Sequence, residues 1–341
     1  MPTVKQLRAG VVGAGAIAHA CHLPGYAGNA EVALVAFADP ATAQHEETLA
    51  KYPNLKGYSD FYEMLDDARL DVVSVCTPNV HHAAAAIHAM HAGAHVLCEK
   101  PVAMTLEEAD HMASVAEATG KKLMVGFTHR LYSGPAKCHA LLQENALGKV
   151  FMIRVRFAHG GPYPGWARSD WFYKPVQSGG GALLDMGIHA IDLCQWLVGP
   201  VATVQSKAAT LVKDIPVDDN AVLLVEFAGG ALGYIEVGWT SGPGFSGLEI
   251  YGTKGSLICD YRRGLFLFEG ETRPDGTQEG EWKTVLDNPI EGGWPIEIDH
   301  WIDVVRGKAP LTMGIDAGRS ALEVALAAYQ SSETGARIEL V

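Results

Sequence analysis

Three groups of residues in this 341-residue sequence have types and spacings that can do chemistry. Asp185 and His189 stand four residues apart in the mostly apolar stretch Leu183-Leu184-Asp185-Met186-Gly187-Ile188-His189-Ala190-Ile191. On a helix, that spacing puts both side chains on one face, with Cβ atoms about 5–6 Å apart. The carboxylate can orient the imidazole and stabilise its protonated form, the arrangement a general base needs near neutral pH. Lys100, in Glu99-Lys100-Pro101, ends an apolar run and is a candidate for acid–base work or for steadying an alkoxide. Gly13-Ala14-Gly15-Ala16-Ile17-Ala18 is a G-x-G-x-x-A turn between an apolar run and a helical pattern. Its first glycine permits the tight turn and its second lets the backbone approach a pyrophosphate. The helix start supplies N–H donors. Each group also has a purely structural use: a buried polar pair, a snorkelling lysine, a packing turn.

Asp39 strengthens the nucleotide reading. It follows the apolar run Val32–Ala38, 24 residues beyond Gly15. A carboxylate there hydrogen-bonds the adenine ribose and repels a 2′-phosphate, and Pro40-Ala41-Thr42 offers no cation to hold one. NAD is therefore favoured over NADP. Thr77-Pro78-Asn79 and Glu99-Lys100-Pro101 each follow a strand-like run, so they should border one crevice outside the carboxyl ends of a sheet. On the substrate side, His159 to Trp171 forms a Gly/Pro-rich loop with Tyr163, Trp166 and Arg168. Aromatic faces against sugar C–H groups and polar forks against hydroxyls would suit a carbohydrate. Arg130, Arg156 and Arg168 leave an anionic substrate open. His88, His91 and His95 do not make a metal site, because Gly93 ends their helix and nothing at ligand spacing completes the set; no metal is expected. His19 and His22 read as surface or pocket-lining residues.

The elements that must position these groups follow from periodicity. Strands are predicted at Ala9–Val12, Val32–Ala38, Asp71–Cys76, His95–Cys98 and Leu123–Phe127. Helices are predicted at Ile17–Tyr26, Ala41–Tyr52, Phe61–Leu65, His81–His91 and Leu106–Thr119. Continuous apolar strands alternating with helices imply a doubly wound parallel sheet, an α/β Rossmann domain over residues 1–128. Beyond it the pattern changes to strands at Val150–His159, Val201–Leu211, Asn220–Phe227, Ala231–Trp239, Leu248–Tyr251, Ser256–Asp260 and Leu265–Phe268. Gly229-Gly230 joins two of them as a hairpin. Helices are expected at Pro135–Asn145, Gly181–Leu197, Ile296–Arg306 and Ile315–Ser332. Residues 129–341 thus read as an α+β domain built on an antiparallel sheet.

Composition sets the outer bounds. Apolar residues make up 48% and charged residues 19%, which excludes disorder. A net charge of −13 argues against nucleic acid or an anionic membrane as partner. Six scattered cysteines without a C-x-x-C read as reduced, buried thiols. With no signal-like or spanning segment, a cytoplasmic location is expected.

Taken in order, Gly13 to Ala18, Thr77-Pro78-Asn79 with His82, Glu99-Lys100-Pro101, and Gly179-Gly180-Gly181 with Asp185, His189 and Asp192 resemble the Gfo/Idh/MocA oxidoreductases. The resemblance extends to Tyr251-Gly252-Thr253-Lys254-Gly255-Ser256 and the C-terminal helices. It implies a dehydrogenase with Lys100, Asp185 and His189 as the catalytic set, and either Lys100 or His189 could be the proton acceptor. Asp192 would be structural. Cofactor contacts would come from Gly13, Gly15, Ala16, Ile17, Asp39, Thr77, Asn79, His82, Glu99 and Lys100. Substrate contacts would come from Lys100, Arg130, His159, Tyr163, Trp166, Arg168, Asp185 and His189. The implied fold is an N-terminal Rossmann domain and, over residues 129–341, a substrate-binding and oligomerisation α+β domain with a large, mostly antiparallel open sheet. The implied substrate is a sugar, sugar derivative or cyclitol, and the implied assembly a homodimer or homotetramer. Two rival readings share these motifs. One is a redox-neutral glycoside-processing enzyme that uses NAD transiently, and the other a non-catalytic NAD-binding sensor.

Overall fold

The computed structural model describes residues 5–242, 244–273, 275 and 277–340. By contact, the chain divides into two compact units. The first holds the chain through Phe127, together with Tyr163–Gly179 and Trp294–Leu322. The second holds Thr128–Pro162, Gly180–Gly293 and the chain from Glu323 on. Two segments late in the sequence thus pack with the unit that begins it.

The first unit is built on six parallel strands: β1 (Leu7–Val12), β2 (Val32–Ala38), β3 (Lys56–Tyr58), β4 (Val72–Val75), β5 (His95–Cys98) and β6 (Leu123–Val125). Their order is β3-β2-β1-β4-β5-β6, the doubly wound arrangement with its switch point between β1 and β4. β1 runs alongside β4 from Ala9↔Val72 to Val12↔Val75, so both strands end at the same level. Strands buried on both faces need continuous apolar sequence, and Val11, Val73, Val96 and Leu97 are wholly buried. Helix ends follow the local chemistry. Asp60 accepts from the Tyr62 N–H at 2.9 Å, and Thr105 with Glu108 forms a capping box. The three-residue β3 has too little pattern to be read from sequence.

The second unit is a nine-stranded sheet. Its strands are β7 (Val150–Ala158), β8 (Val201–Ala209), β9 (Asn220–Phe227), β10 (Leu232–Gly238), β11 (Gly247–Gly252), β12 (Gly255–Asp260), β13 (Gly264–Thr272), β14 (Gln278–Leu286) and β15 (Ile338–Glu339). They lie in the order β14-β13-β12-β11-β7-β10-β9-β8-β15, with only β7 and β10 parallel to each other. Burial alternates along β9, so one face is core and the other open. The helix Ile188–Val198 packs on the inner face over β7 and β10. Two strands escaped the sequence reading, β14 and the two-residue β15. Among the described residues β14 pairs only with β13, and it carries Glu279, Glu281 and Lys283, the charged composition of an edge strand.

Two predicted helices depart from α geometry at their starts. The segment Ala18–His22 is a π turn leading into an α-helix at Leu23–Gly28, and Leu183–Gly187 is a π turn leading into Ile188–Val198. Such turns are rare and cluster at functional sites. The second one contains Asp185.

Candidate active site

In the first unit the glycine turn and Asp39 are one structure. Gly13 has φ +88°, and a Cβ there would stand 2.7 Å from the Cys76 carbonyl oxygen, so only glycine fits between β1 and the end of β4. Gly15 has nothing within 4 Å of where its Cβ would be, so the room beside it is not spent on protein packing. Asp39 Oδ2 accepts the Ala14 N–H and Oδ1 the Ala41 N–H, both at 2.9 Å. Each carboxylate oxygen keeps a further lone pair for a ribose hydroxyl. A tight turn, an open second glycine and an anchored carboxylate suit a dinucleotide. When bound, NAD supplies the hydride acceptor at its nicotinamide.

The later strand ends are braced to one another. His82 is buried between two carbonyl oxygens, with Nδ1 2.7 Å from that of Pro101 and Nε2 2.9 Å from that of Thr77. Burial holds its pKa below the ordinary histidine value despite these bonds. His82 therefore sits between the Thr77 and Lys100-Pro101 segments, and its neutral ring donates to one of the two carbonyls. Asn79 is also buried and donates to the Ser178 carbonyl at 2.7 Å. Glu99 is buried under Lys100, and its Oε2 accepts the Lys100 backbone N–H at 3.3 Å. Burial pushes the Glu99 carboxyl up, but the hydrogen bond and charge of His22, with Lys100 nearby, outweigh it and hold the group below its usual range. His22 is wholly buried, which corrects its reading as a surface or pocket-lining residue.

The second unit carries the acid–imidazole cluster. Asp218 anchors the start of its helical segment, accepting the Gly181 and Leu183 N–H groups at 2.8 Å each. Asp185 and His189 are both buried. Asp185 Oδ2 accepts the indole N–H of Trp239 at 3.1 Å and lies 4.0 Å from His159 Nε2. His189 lies against His129, with ring centroids 4.4 Å apart, and His129 Nδ1 is 3.0 Å from the Tyr261 hydroxyl. The structure thus brings His159 to the Asp185 carboxylate and adds Trp239 and His129, which sequence reasoning missed. Trp239 was placed at the end of a strand, and nothing in its spacing points at Asp185. His129 sits in a short 3-10 turn, Thr128–Leu131, without a periodic signal.

Two arginines expected at the substrate do not join this cluster. Arg130 is buried, donating to Asp192 Oδ2 at 2.8 Å through Nε and to Oδ1 at 2.5 Å through a terminal nitrogen. Arg168 belongs to the first unit, where it pairs with Glu47 and donates to Gln44 at 3.1 Å. Tyr163 and Trp166 sit in the same segment and are 40% and 52% exposed, with Trp166 edge-on to Phe172. Burial pushes the Asp192 carboxyl up to about 6, against the lowering effect of Arg130. Removing one partner of a buried pair strands the other charge, typically at a cost of ~3–5 kcal/mol. Asp192→Ala is expected to lose stability of that order in urea unfolding. A change under about 1 kcal/mol would mean the pair is not a structural tie.

The turn, the anchored carboxylate and the strand-end lysine on a six-stranded parallel sheet define an NAD-binding oxidoreductase. Residues 7–127 match the family model described as an oxidoreductase family with an NAD-binding Rossmann fold, and residues 136–258 match the GFO/IDH/MocA C-terminal domain. The chain belongs to the Gfo/Idh/MocA family of oxidoreductases. It is 28% identical to the D-glucoside 3-dehydrogenase of Escherichia coli K12, covering 99% of each chain. It is 26% identical to the myo-inositol 2-dehydrogenase of Thermotoga maritima, covering 98% of each. Among solved structures it resembles the WlbA dehydrogenase of Bordetella pertussis in complex with NADH and UDP-GlcNAcA. There the TM-score is 0.86 at 26% identity, over 100% of this chain and 99% of that one. All six cysteines are free and buried, and no helix among the described residues is long and apolar enough to cross a membrane.

Proposed function

We propose that the chain is an NAD-dependent dehydrogenase of a secondary ring hydroxyl on a sugar, a sugar derivative or a cyclitol. The observation that carries this reading is the buried cluster around Asp185, where a carboxylate held by Trp239 stands beside His159 on the helical segment that bears His189. Oxidation requires the hydroxyl proton to leave as negative charge grows on its oxygen. His189 accepts that proton, Asp185 stabilises the protonated imidazole, and the Lys100 ammonium steadies the alkoxide. His159 accepts the Gly161 N–H through Nδ1 at 2.9 Å and holds Nε2 4.0 Å from Asp185 Oδ2. Relatives named for glucoside and inositol oxidation support a polyhydroxylated ring as substrate.

The test is absorbance-monitored reduction of NAD and NADP across pyranosides, inositols and sugar acids. NADH accumulation with one ring class, and a strong preference over NADP set by Asp39, is expected. Turnover without NADH would instead indicate the redox-neutral reaction, and ligand binding without turnover a sensor.

A homo-oligomer is part of the proposal. The open face of the nine-stranded sheet exposes Val222, Leu224, Leu232 and Trp282 among the paired charges Arg154–Glu249 and Arg156–Glu236. An apolar face with balanced charges suits a second copy of itself. Sedimentation should show a dimer or tetramer that Leu224→Asp dissociates. A wild-type monomer at micromolar concentration would contradict this.

A further inference from the structure

His22 ends the π turn that follows the glycine loop and is wholly buried. Its Nε2 lies 3.0 Å from Glu99 Oε1, and its Nδ1 lies 2.8 Å from Ser74 Oγ. Ser74 Oγ is in turn 2.9 Å from the Tyr26 hydroxyl. The second carboxylate oxygen, Glu99 Oε2, faces the Lys100 backbone N–H. Gly126 lies against the same carboxylate, where a Cβ would stand 3.2 Å from Oε2, so Glu99 is confined on that side as well. Cys21 Sγ and Glu297 Oε2 lie 3.5 Å apart beside the imidazole, and Cys21, His22 and Glu297 are near enough to one another to hold a cation. Both His22 nitrogens are already engaged by Ser74 and Glu99, and burial pushes the Cys21 thiol pKa up, which keeps it protonated. The group is better satisfied as a hydrogen-bonded network.

We infer that His22 is a positioning residue for Lys100, acting through Glu99 and tying the helix after the phosphate-binding loop to the strand end that bears the lysine. The inference rests on the role proposed above for Lys100. In the Nε2–H neutral tautomer, or in the protonated ring, an imidazole N–H fills one Glu99 oxygen and leaves the other for the Lys100 backbone. Without that donor the buried carboxylate must turn or take up a proton, and the Lys100 turn loses a charged acceptor. A misplacement of about 1 Å at a reacting group can cost ~10²-fold in rate. Loss of His22 should therefore appear in kcat more than in cofactor affinity, because the glycine turn and Asp39 stay anchored by their own bonds.

The experiment compares His22→Leu, His22→Gln, Glu99→Gln, the double variant His22→Leu/Glu99→Gln, and Lys100→Met. It reads kcat, substrate KM and NADH dissociation constants by fluorescence. His22→Leu is expected to lower kcat by ~10–100-fold with NADH affinity changed less than about threefold. His22→Gln, whose amide N–H can donate to Glu99, should recover to within about fivefold of wild type. In the Glu99→Gln background, His22→Leu should add less than about threefold, because the two residues act as one unit. Unchanged kcat in His22→Leu, equal impairment in His22→Leu and His22→Gln, or losses that multiply in the double variant would each overturn the inference. If Lys100→Met is itself fully active, the proposed role of Lys100 fails. If Lys100→Met is inactive and His22→Leu is normal, only the positioning claim fails.

Discussion

Lys100→Met is expected to lower kcat by ~10²–10⁴-fold while NADH binds within about threefold of its wild-type affinity. Methionine keeps most of the length and the apolar stem but removes the ammonium. The turn itself should survive, since the Glu99 bond goes to the Lys100 backbone and His82 holds the Pro101 carbonyl. The loss should therefore fall on the developing alkoxide and not on the cofactor site. Steady-state rates with saturating substrate, set beside NADH fluorescence titration, separate the two. Full activity in this variant would remove Lys100 from the reaction.

His189→Ala is expected to cost ~10²–10³-fold in kcat and to abolish the acidic limb of the pH–rate profile, which reports the base losing its free lone pair. The sign follows from its role: a base acts unprotonated, so the wild-type rate should fall as the pH is lowered and the base takes up a proton. Asp185 and Trp239 are untouched in this variant, so the cluster keeps its carboxylate. Added imidazole should restore part of the rate if the space left by the ring is open to it. An unchanged profile in His189→Ala would shift the base to His159 or Lys100.

Much of the fold is legible in the sequence where physical constraints are local. Val72–Val75 and His95–Cys98 are buried on both sides of a parallel sheet, so their apolar runs mark them plainly. Gly13 is required by its positive φ and the Cys76 carbonyl, and that need shows as a motif. Other features depend on partners far away in the chain. Arg130 looks like an anion-binding residue until Asp192 is seen to take up its guanidinium. His22 reads as a surface or pocket-lining histidine until Glu99, 77 residues on, comes to its ring. The π turn at Leu183–Gly187 has no period of its own, so Asp185 and His189 were placed on a regular helix that begins only at Ile188. β14 was missed for the opposite reason: an edge strand with an open face need not be apolar.

Direct hydride transfer from a ring carbon to NAD, with Lys100 and His189 managing the hydroxyl, is tested most directly with deuterium. The substrate found in the panel is prepared with deuterium on the oxidised carbon and turned over once in ordinary water. The expected result is one deuterium per reduced nicotinamide, at C4, with no reduced cofactor formed where Lys100→Met or His189→Ala stops turnover. NADH free of label, with the deuterium released to water, would contradict the assignment and show that the ring carbon is deprotonated instead.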